Sequence, residues 1–304
     1  MFEDSFFERV GWKLVRRSDA DGVINFDSER RVWVDQSGLL TVSLFQSELV
    51  DNYRLRFADH LIIDVLPNER LVVEHRAKSP VGTAARDHFI ADQVFPRLLS
   101  HDGRLVLHAG AVRHIESSLL IVGESGAGKS SLVASFIQVD HDLLGDDALV
   151  ISWPNGAACA EAVYPSLRLF SDSIDALFRR AVRTTNLAPY TSKRRLCVTE
   201  ASTLATGPLP IKAIFSIAPV SRTGEIRCRR LTAAEACMVF IENSFALDPT
   251  DTPHASRRLH DASALAGEVP TFEISYPRDY ARLPEVREVM LRSCLGKESA
   301  KTEV

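Results

Sequence analysis

The chain has 304 residues, 45% of them hydrophobic and 25% charged, which suits an ordinary globular protein of one large or two modest domains. A net charge of -4 offers no basic face to a nucleic acid, and no apolar run reaches the roughly 18 residues of a membrane span, so neither partner is expected. The start, Met1 to Leu14, is acidic and then amphipathic and lacks the basic and apolar regions of a secretion signal, which sets a cytoplasmic location as the expectation.

Residues 1 to about 80 read as short strands broken by turns. Val23–Phe26, Arg31–Val34, Leu40–Leu44 and Leu61–Val65 are β-branched or alternating, and Asp19–Gly22 and Gln36–Gly38 supply turn residues. Pro80-Val81-Gly82 then punctuates the chain. Ala84 to Leu99 reads as a helix with Phe89, Ile90, Val94, Phe95 and Leu98 on one side, disturbed locally at Pro96. A strand is expected over Leu105–Val112 and an apolar one over Ser118–Val122, then a helix from Ser130 to Ile137 and a strand over Ala148–Ser152. Further strands are expected at Leu196–Val198, Ala213–Ile217 and Thr271–Ile274, with helices over Asp172–Arg183, Ala233–Ser244 and Leu283–Leu295. Five cysteines, an odd number without a C-x-x-C pair, read as buried free thiols rather than a disulfide framework or zinc site.

Gly123-Glu124-Ser125-Gly126-Ala127-Gly128-Lys129-Ser130 fits G-x-x-x-x-G-K-[ST]. Glycines permit positive φ, so successive backbone N–H groups can turn inward as an anion nest, and the following helix aims its N-terminus at the same phosphates. Lys129 is the mobile charge for the outer phosphates, and the Ser130 hydroxyl suits Mg²⁺. Ser131, by itself a helix residue, completes the stretch expected to contact the nucleotide. A chance match in a chain of this length is roughly a one-percent event. ATP and Mg²⁺ are therefore the expected cofactors.

Transfer of a phosphoryl group also needs a proton acceptor and a metal holder. Asp146 and Asp147 precede the strand expected from Ala148. Adjacent carboxylates repel unless a cation neutralises them, so with a metal present one can bind it and the other can serve as base. His108 follows an apolar strand, where a histidine is more often a hydrogen-bonded core residue. Arg168 and the basic run Lys193-Arg194-Arg195 could meet transferred charge or the acceptor, or could simply be solvated.

Together, Val106-Leu107-His108-Ala109, the loop Gly123–Ser130 and His141-x-Leu-Leu-Gly-Asp146-Asp147 resemble the catalytic domain of HPr kinase/phosphorylase, with its G-E-S-G-x-G-K-S loop and G-H-x-L-x-x-D-D segment. The close resemblance covers about Gly103 to Ile151. It implies an α/β P-loop kinase fold shared with phosphoenolpyruvate carboxykinase. It also implies that Lys129 stabilises the transferring group, Ser130 and Asp147 hold Mg²⁺, Asp146 acts as general base, and His108 lies beside metal and phosphates. Asp140 stands where the family has glycine, and the signature I-E-x-R-G-x-G is missing, with Pro165–Leu169 roughly in its place. HPr as acceptor and the reverse phosphorolysis therefore do not carry over.

The expected organisation is a small β-rich domain over 1–82, an ATP-binding catalytic domain over 83–296 and a flexible tail over 297–304. The expected activity is transfer of the γ-phosphate to a hydroxyl of a protein, a precursor peptide or a small molecule, with serine the leading acceptor and a homo-oligomer a further option. The rival reading is an ATP-binding regulatory module that hydrolyses slowly or not at all. A transport ATPase or GTPase is disfavoured, since no L-S-G-G-Q or N-K-x-D segment is present.

Overall fold

The computed structural model describes residues 7–17, 29–37, 40–47, 51–57, 61–75, 82–164, 166–178, 182–186, 191–196, 207–219 and 224–295. The chain is a mixed α/β protein that forms two compact units. One comprises 1–95, 187–192 and 248–251, and the other 96–186, 193–247 and 252–304.

The first unit is built on a six-stranded sheet: β1 (Lys13–Arg17), β2 (Glu29–Ser37), β3 (Leu40–Ser47), β4 (Tyr53–Phe57), β5 (Leu61–Leu66) and β6 (Leu71–His75). Strands β2 to β6 form an antiparallel meander, and β1 adds in parallel beside β6. The strand expected at Val23–Phe26, the turn Asp19–Gly22 and Gly38 lie outside the described residues, and Gln36 and Ser37 close β2 instead of turning. Strand β4 alternates strictly, so Tyr53, Leu55 and Phe57 enter the core while Arg54 points to the other face. There Arg54 grips its cross-strand partner Asp64 with two hydrogen bonds of 2.6 and 2.8 Å, and the His75 imidazole adds a third contact at 2.7 Å. Helix α1 (Thr83–Phe89) covers the unit, its Phe89 ring 5.0 Å from Phe57.

The expected continuous helix is instead three pieces. A π-helical turn, Ile90–Val94, separates α1 from α2 (Phe95–His101). Pro96 is the cause. It cannot donate to the carbonyl one α-turn back and its ring needs room there, so the turn widens and Phe95 N–H bonds Ile90 instead. Phe89, Ile90, Val94, Phe95 and Leu98 are all buried.

In the second unit a large sheet follows the order β10-β8-β9-β16-β12-β11-β7, with β18 and β17 branching from β16. These strands are β7 (Leu105–Leu107), β8 (Ala109–His114), β9 (Ser117–Val122), β10 (Asp142–Gly145), β11 (Leu149–Ser152), β12 (Cys159–Ala162), β16 (Leu209–Ile217), β17 (Arg227–Arg230) and β18 (Thr271–Ser275). The helices are α3 (Lys129–Ile137), α4 (Ser171–Leu177), α5 (Ala233–Glu242), α6 (Thr252–Glu268) and α7 (Leu283–Cys294). Strand β9 is apolar from Leu119 to Val122 because both its faces are covered there. Leu119 and Ile121 join α3 and α7 in one core, while Leu120 and Val122 join α5 and α6 in another. The strand expected over Leu105–Val112 is two strands: β7 at one end of the sheet order and β8 next to the other end, with His108 at the crossing. A small sheet, β13 (Arg168–Leu169), β15 (Arg194–Leu196) and β14 (Thr184–Asn186), stands apart.

Three further expectations are corrected. Helix α4 ends at Leu177 rather than Arg183, because Phe178 turns extended (φ -109°, ψ 105°) and packs its side chain on the core. Arg194 and Arg195 belong to a strand, and Cys197 and Val198 lie outside the described residues. Cys159 is a buried free thiol, whereas Cys228, Cys237 and Cys294 are only partly buried, and Cys197 is undescribed. Among the described residues no helix is long and apolar enough to cross a membrane. The tail 297–304 lies outside them.

Candidate functional site

The second unit carries a cavity of roughly 350 Å³ lined by residues from six chain segments: His108; Ser125–Ser131; Asp147; Arg168, Leu169, Phe170, Asp172 and Ser173; Lys193; and Tyr276, Arg278, Asp279, Tyr280 and Leu283. Its floor is the glycine loop between β9 and α3. Gly123, Gly126 and Gly128 have φ of 145°, 78° and 103°, values that side chains disfavour, and at Gly123 a Cβ would also press the Ile217 carbonyl at 3.3 Å. Gly123 N–H donates to Asn243 Oδ1 at 3.1 Å. The Lys129 ammonium is buried and donates to the carbonyls of Gly123 and Glu124 at 2.7 and 3.1 Å. Burial lowers its pKa, Asp146 and Asp147 oppose that, and Lys193 adds to it. Glu124 is exposed and, like Gly123, is not part of the lining.

Asp146 and Asp147 form the turn between β10 and β11, and the chain reaches it through close packing. A Cβ on Gly145 would stand 2.6 Å from the Ala162 Cβ, so only glycine lets β10 end against β12. Asp147 adopts φ 78°, and its carboxylate enters the cavity wall. It accepts from Arg168 Nε at 2.8 Å, with Arg168 Nη2 closing a second contact, and stands 3.6 Å from His108 Nε2, an electrostatic contact longer than a hydrogen bond. Burial works to raise the Asp147 pKa, but His108 and the Lys193 and Lys129 ammonium groups outweigh it and hold the carboxyl below its usual range.

Asp146 differs from its neighbour in exposure to the cavity and in its partners. It is fully buried, it is not part of the cavity lining, and neither carboxyl oxygen has a hydrogen-bond partner. It fits beneath the loop because residue 110 is glycine: a Cβ there would stand 3.1 Å from Asp146 Oδ1 and 2.6 Å from Val133 Cγ2. Burial and then the Asp147 charge push its pKa up to about 8, against the pull of Ser130, Lys193 and Lys129, although Ser130 closes no hydrogen bond by geometry. Two orphaned buried oxygens beside the Ser130 hydroxyl are a donor set that fits a divalent cation. Among the described residues no three His, Cys, Asp or Glu side chains could hold a metal as a group.

His108, the loop residues from Ser125 to Ser131, Asp147, Arg168 and Lys193 thus share one cavity, with Asp146 behind its wall. His141 stands elsewhere, its ring 3.1 Å from His114 and edge-on to Phe136. Several residues here are not evident from sequence. Asn243, which caps α5, holds the loop through Gly123 and accepts from His108 N–H through its own carbonyl at 2.6 Å. Gly110 and Gly145 had a usable signal, glycine within or at the end of an apolar strand. The far wall is likewise not evident from sequence: Phe170, with the Lys193 ammonium 5.3 Å from its ring centre, and the hydroxyl groups of Ser173 and Tyr280.

No family model matches the chain, and no curated protein matches it. Among solved structures it is similar to the HPr(Ser) kinase/phosphatase from Coxiella burnetii, at 12% identity over 64% of this chain and 99% of that one, with a TM-score of 0.33. A likeness of that size carries no weight for the chemistry of the cavity.

Proposed function

We propose that the chain is an ATP-dependent phosphotransferase that delivers the γ-phosphate to a hydroxyl, with a serine of a protein or precursor peptide as the leading acceptor. The observation that carries this reading is the meeting, in one cavity, of a phosphate-cradling loop and an ion-paired carboxylate, with a second, unpartnered carboxyl buried directly behind. The loop from Gly123 to Ser130 and the first turn of α3 hold the phosphates through backbone N–H groups. Lys129 exchanges its carbonyl partners for phosphate oxygens. Mg²⁺, when bound, offsets the charge that builds on the transferring phosphoryl group.

The geometry favours exchanging the roles expected for the two acids. Asp146 has orphaned oxygens beside Ser130, so these two residues would hold the metal. Asp147 is on the cavity wall and stays ionised, so it is the group able to orient an incoming hydroxyl and receive its proton. Its low basicity is compatible with a loose transition state in which the proton leaves late. His108 and Arg168 keep this carboxylate aimed, and Arg168 and Lys193 bring positive charge toward the acceptor.

The test is acceptor-dependent turnover of labelled ATP. Asp147→Asn should abolish transfer and leave Mg·ATP binding in place, whereas Asp146→Asn should raise the Mg²⁺ concentration required. ATP binding without turnover against any acceptor would instead favour a regulatory module.

A further inference from the structure

Three hydroxyl groups and one carboxylate on the cavity wall form a single chain. Ser131 Oγ lies 3.2 Å from Ser173 Oγ, Ser173 Oγ lies 2.8 Å from the Tyr280 hydroxyl, and Tyr280 donates to Asp172 Oδ2 at 3.0 Å. Ser173 is buried, Tyr280 half-buried and Asp172 exposed, and all four residues line the cavity. Each hydroxyl has one proton to give. With the Tyr280 proton on Asp172, Ser173 must donate to Tyr280 and Ser131 to Ser173. Every proton then runs toward Asp172, and Ser131 shows the cavity only lone pairs.

A phosphate oxygen accepts and cannot donate, so it can bond Ser131 only if that proton turns into the cavity. The remaining hydroxyls then reverse in turn: Ser173 donates to Ser131, and Tyr280 donates to Ser173. Asp172 Oδ2 loses its donor and becomes an acceptor for a new one. Phosphate at one end and a hydroxyl donor at the other therefore support each other. The three links hold Ser131 Oγ and Asp172 Oδ2 within about 9 Å of each other, and with one further hydrogen bond at each end that reach covers the span from the inner phosphate of a nucleotide to its ribose hydroxyls.

We infer that Asp172, through Tyr280 and Ser173, is a specificity-determining residue that reads a ribose hydroxyl of the bound nucleotide and couples it to the Ser131–phosphate contact. This inference rests on the nucleotide reading and deepens it: the donor is a ribonucleotide, distinguished from an otherwise identical triphosphate without sugar hydroxyls.

The experiment is equilibrium binding of Mg·ATP and of Mg·2′,3′-dideoxyATP to the full chain. The unaltered protein should prefer ATP by roughly tenfold, the effect of one hydrogen bond to a charged acceptor. Asp172→Ala should bring the ratio near one, with dideoxy affinity kept or improved. A second comparison separates the chain from a local effect. Ser131→Ala should weaken ATP more than dideoxyATP in the unaltered protein, and both equally in Tyr280→Phe. ATP binding without sugar preference, or with a preference that survives Asp172→Ala, would overturn the inference and leave the nucleotide reading standing. No ATP binding to the unaltered protein would overturn both.

Discussion

Asp146→Asn should change how the stability of the chain depends on pH. In the folded state the carboxyl is pushed from 3.8 to about 8, chiefly by burial and then by the Asp147 charge. A pKa raised on folding means that the native state holds its proton longer than the unfolded chain. The stabilisation from this group is therefore complete below pH 4 and is lost as pH rises through 8. At about 1.4 kcal/mol per pH unit, the full loss is on the order of 5 kcal/mol, with some 2–3 kcal/mol of it falling between pH 6 and pH 8. Asparagine has no proton to lose, and its burial cost is the same at every pH. Urea denaturation of both proteins at pH 6, 7 and 8, without Mg²⁺, should show the variant gaining on the parent by about that 2–3 kcal/mol across the range. Adding Mg²⁺ with ATP should narrow the gap at pH 8, because a bound cation favours the ionised carboxylate. Parallel curves, with a difference constant to about 0.5 kcal/mol between pH 6 and pH 8, would refute the reasoning, since the carboxyl would then titrate alike in folded and unfolded chains.

Gly110→Ala should cost about 1–3 kcal/mol in chemical denaturation and weaken nucleotide binding, because its Cβ would meet Val133 at 2.6 Å and crowd Asp146. An unchanged midpoint would show that β8 can move aside. Asn243→Ala removes the acceptor of Gly123 N–H, so hydrogen exchange at that amide should accelerate and stability should fall by about 1 kcal/mol. In the other unit, Asp64→Asn should destabilise by roughly 3 kcal/mol or more, since it withdraws the carboxylate that Arg54 and His75 share in a buried setting. Loss of less than about 1 kcal/mol in a thermal melt would mean that water reaches the pair.

Local structure was legible in the sequence. The glycine loop announces itself because backbone geometry, cation and hydroxyl must follow one another within eight positions, and the apolar strand before it and helix after it share that locality. Helix α5 was readable for a similar reason: Thr232 and Glu235 form a capping box at its start. Helix α6 was missed despite its 17 residues, because only Ala262 and Leu265 are buried and so sparse an apolar face leaves little periodicity. Strand β4 was missed although its alternation is clean, because charged Arg54 and Arg56 break the β-branched pattern that marks a typical strand.

What the sequence determined by itself was the loop, its flanking strand and helix, and the residue types available to the proposed phosphoryl chemistry, since these depend on neighbours a few positions away. Tertiary structure alone decided which of two adjacent acids meets the cavity. Consecutive residues in a turn differ in orientation, and only the packing around Gly110 and Gly145 buries Asp146 while the left-handed backbone of Asp147 turns its carboxylate toward Arg168 and His108. The chain crosses at His108 from β7, at one end of the sheet order, to β8 beside the other end, and that crossing likewise depends on partners far along the sequence.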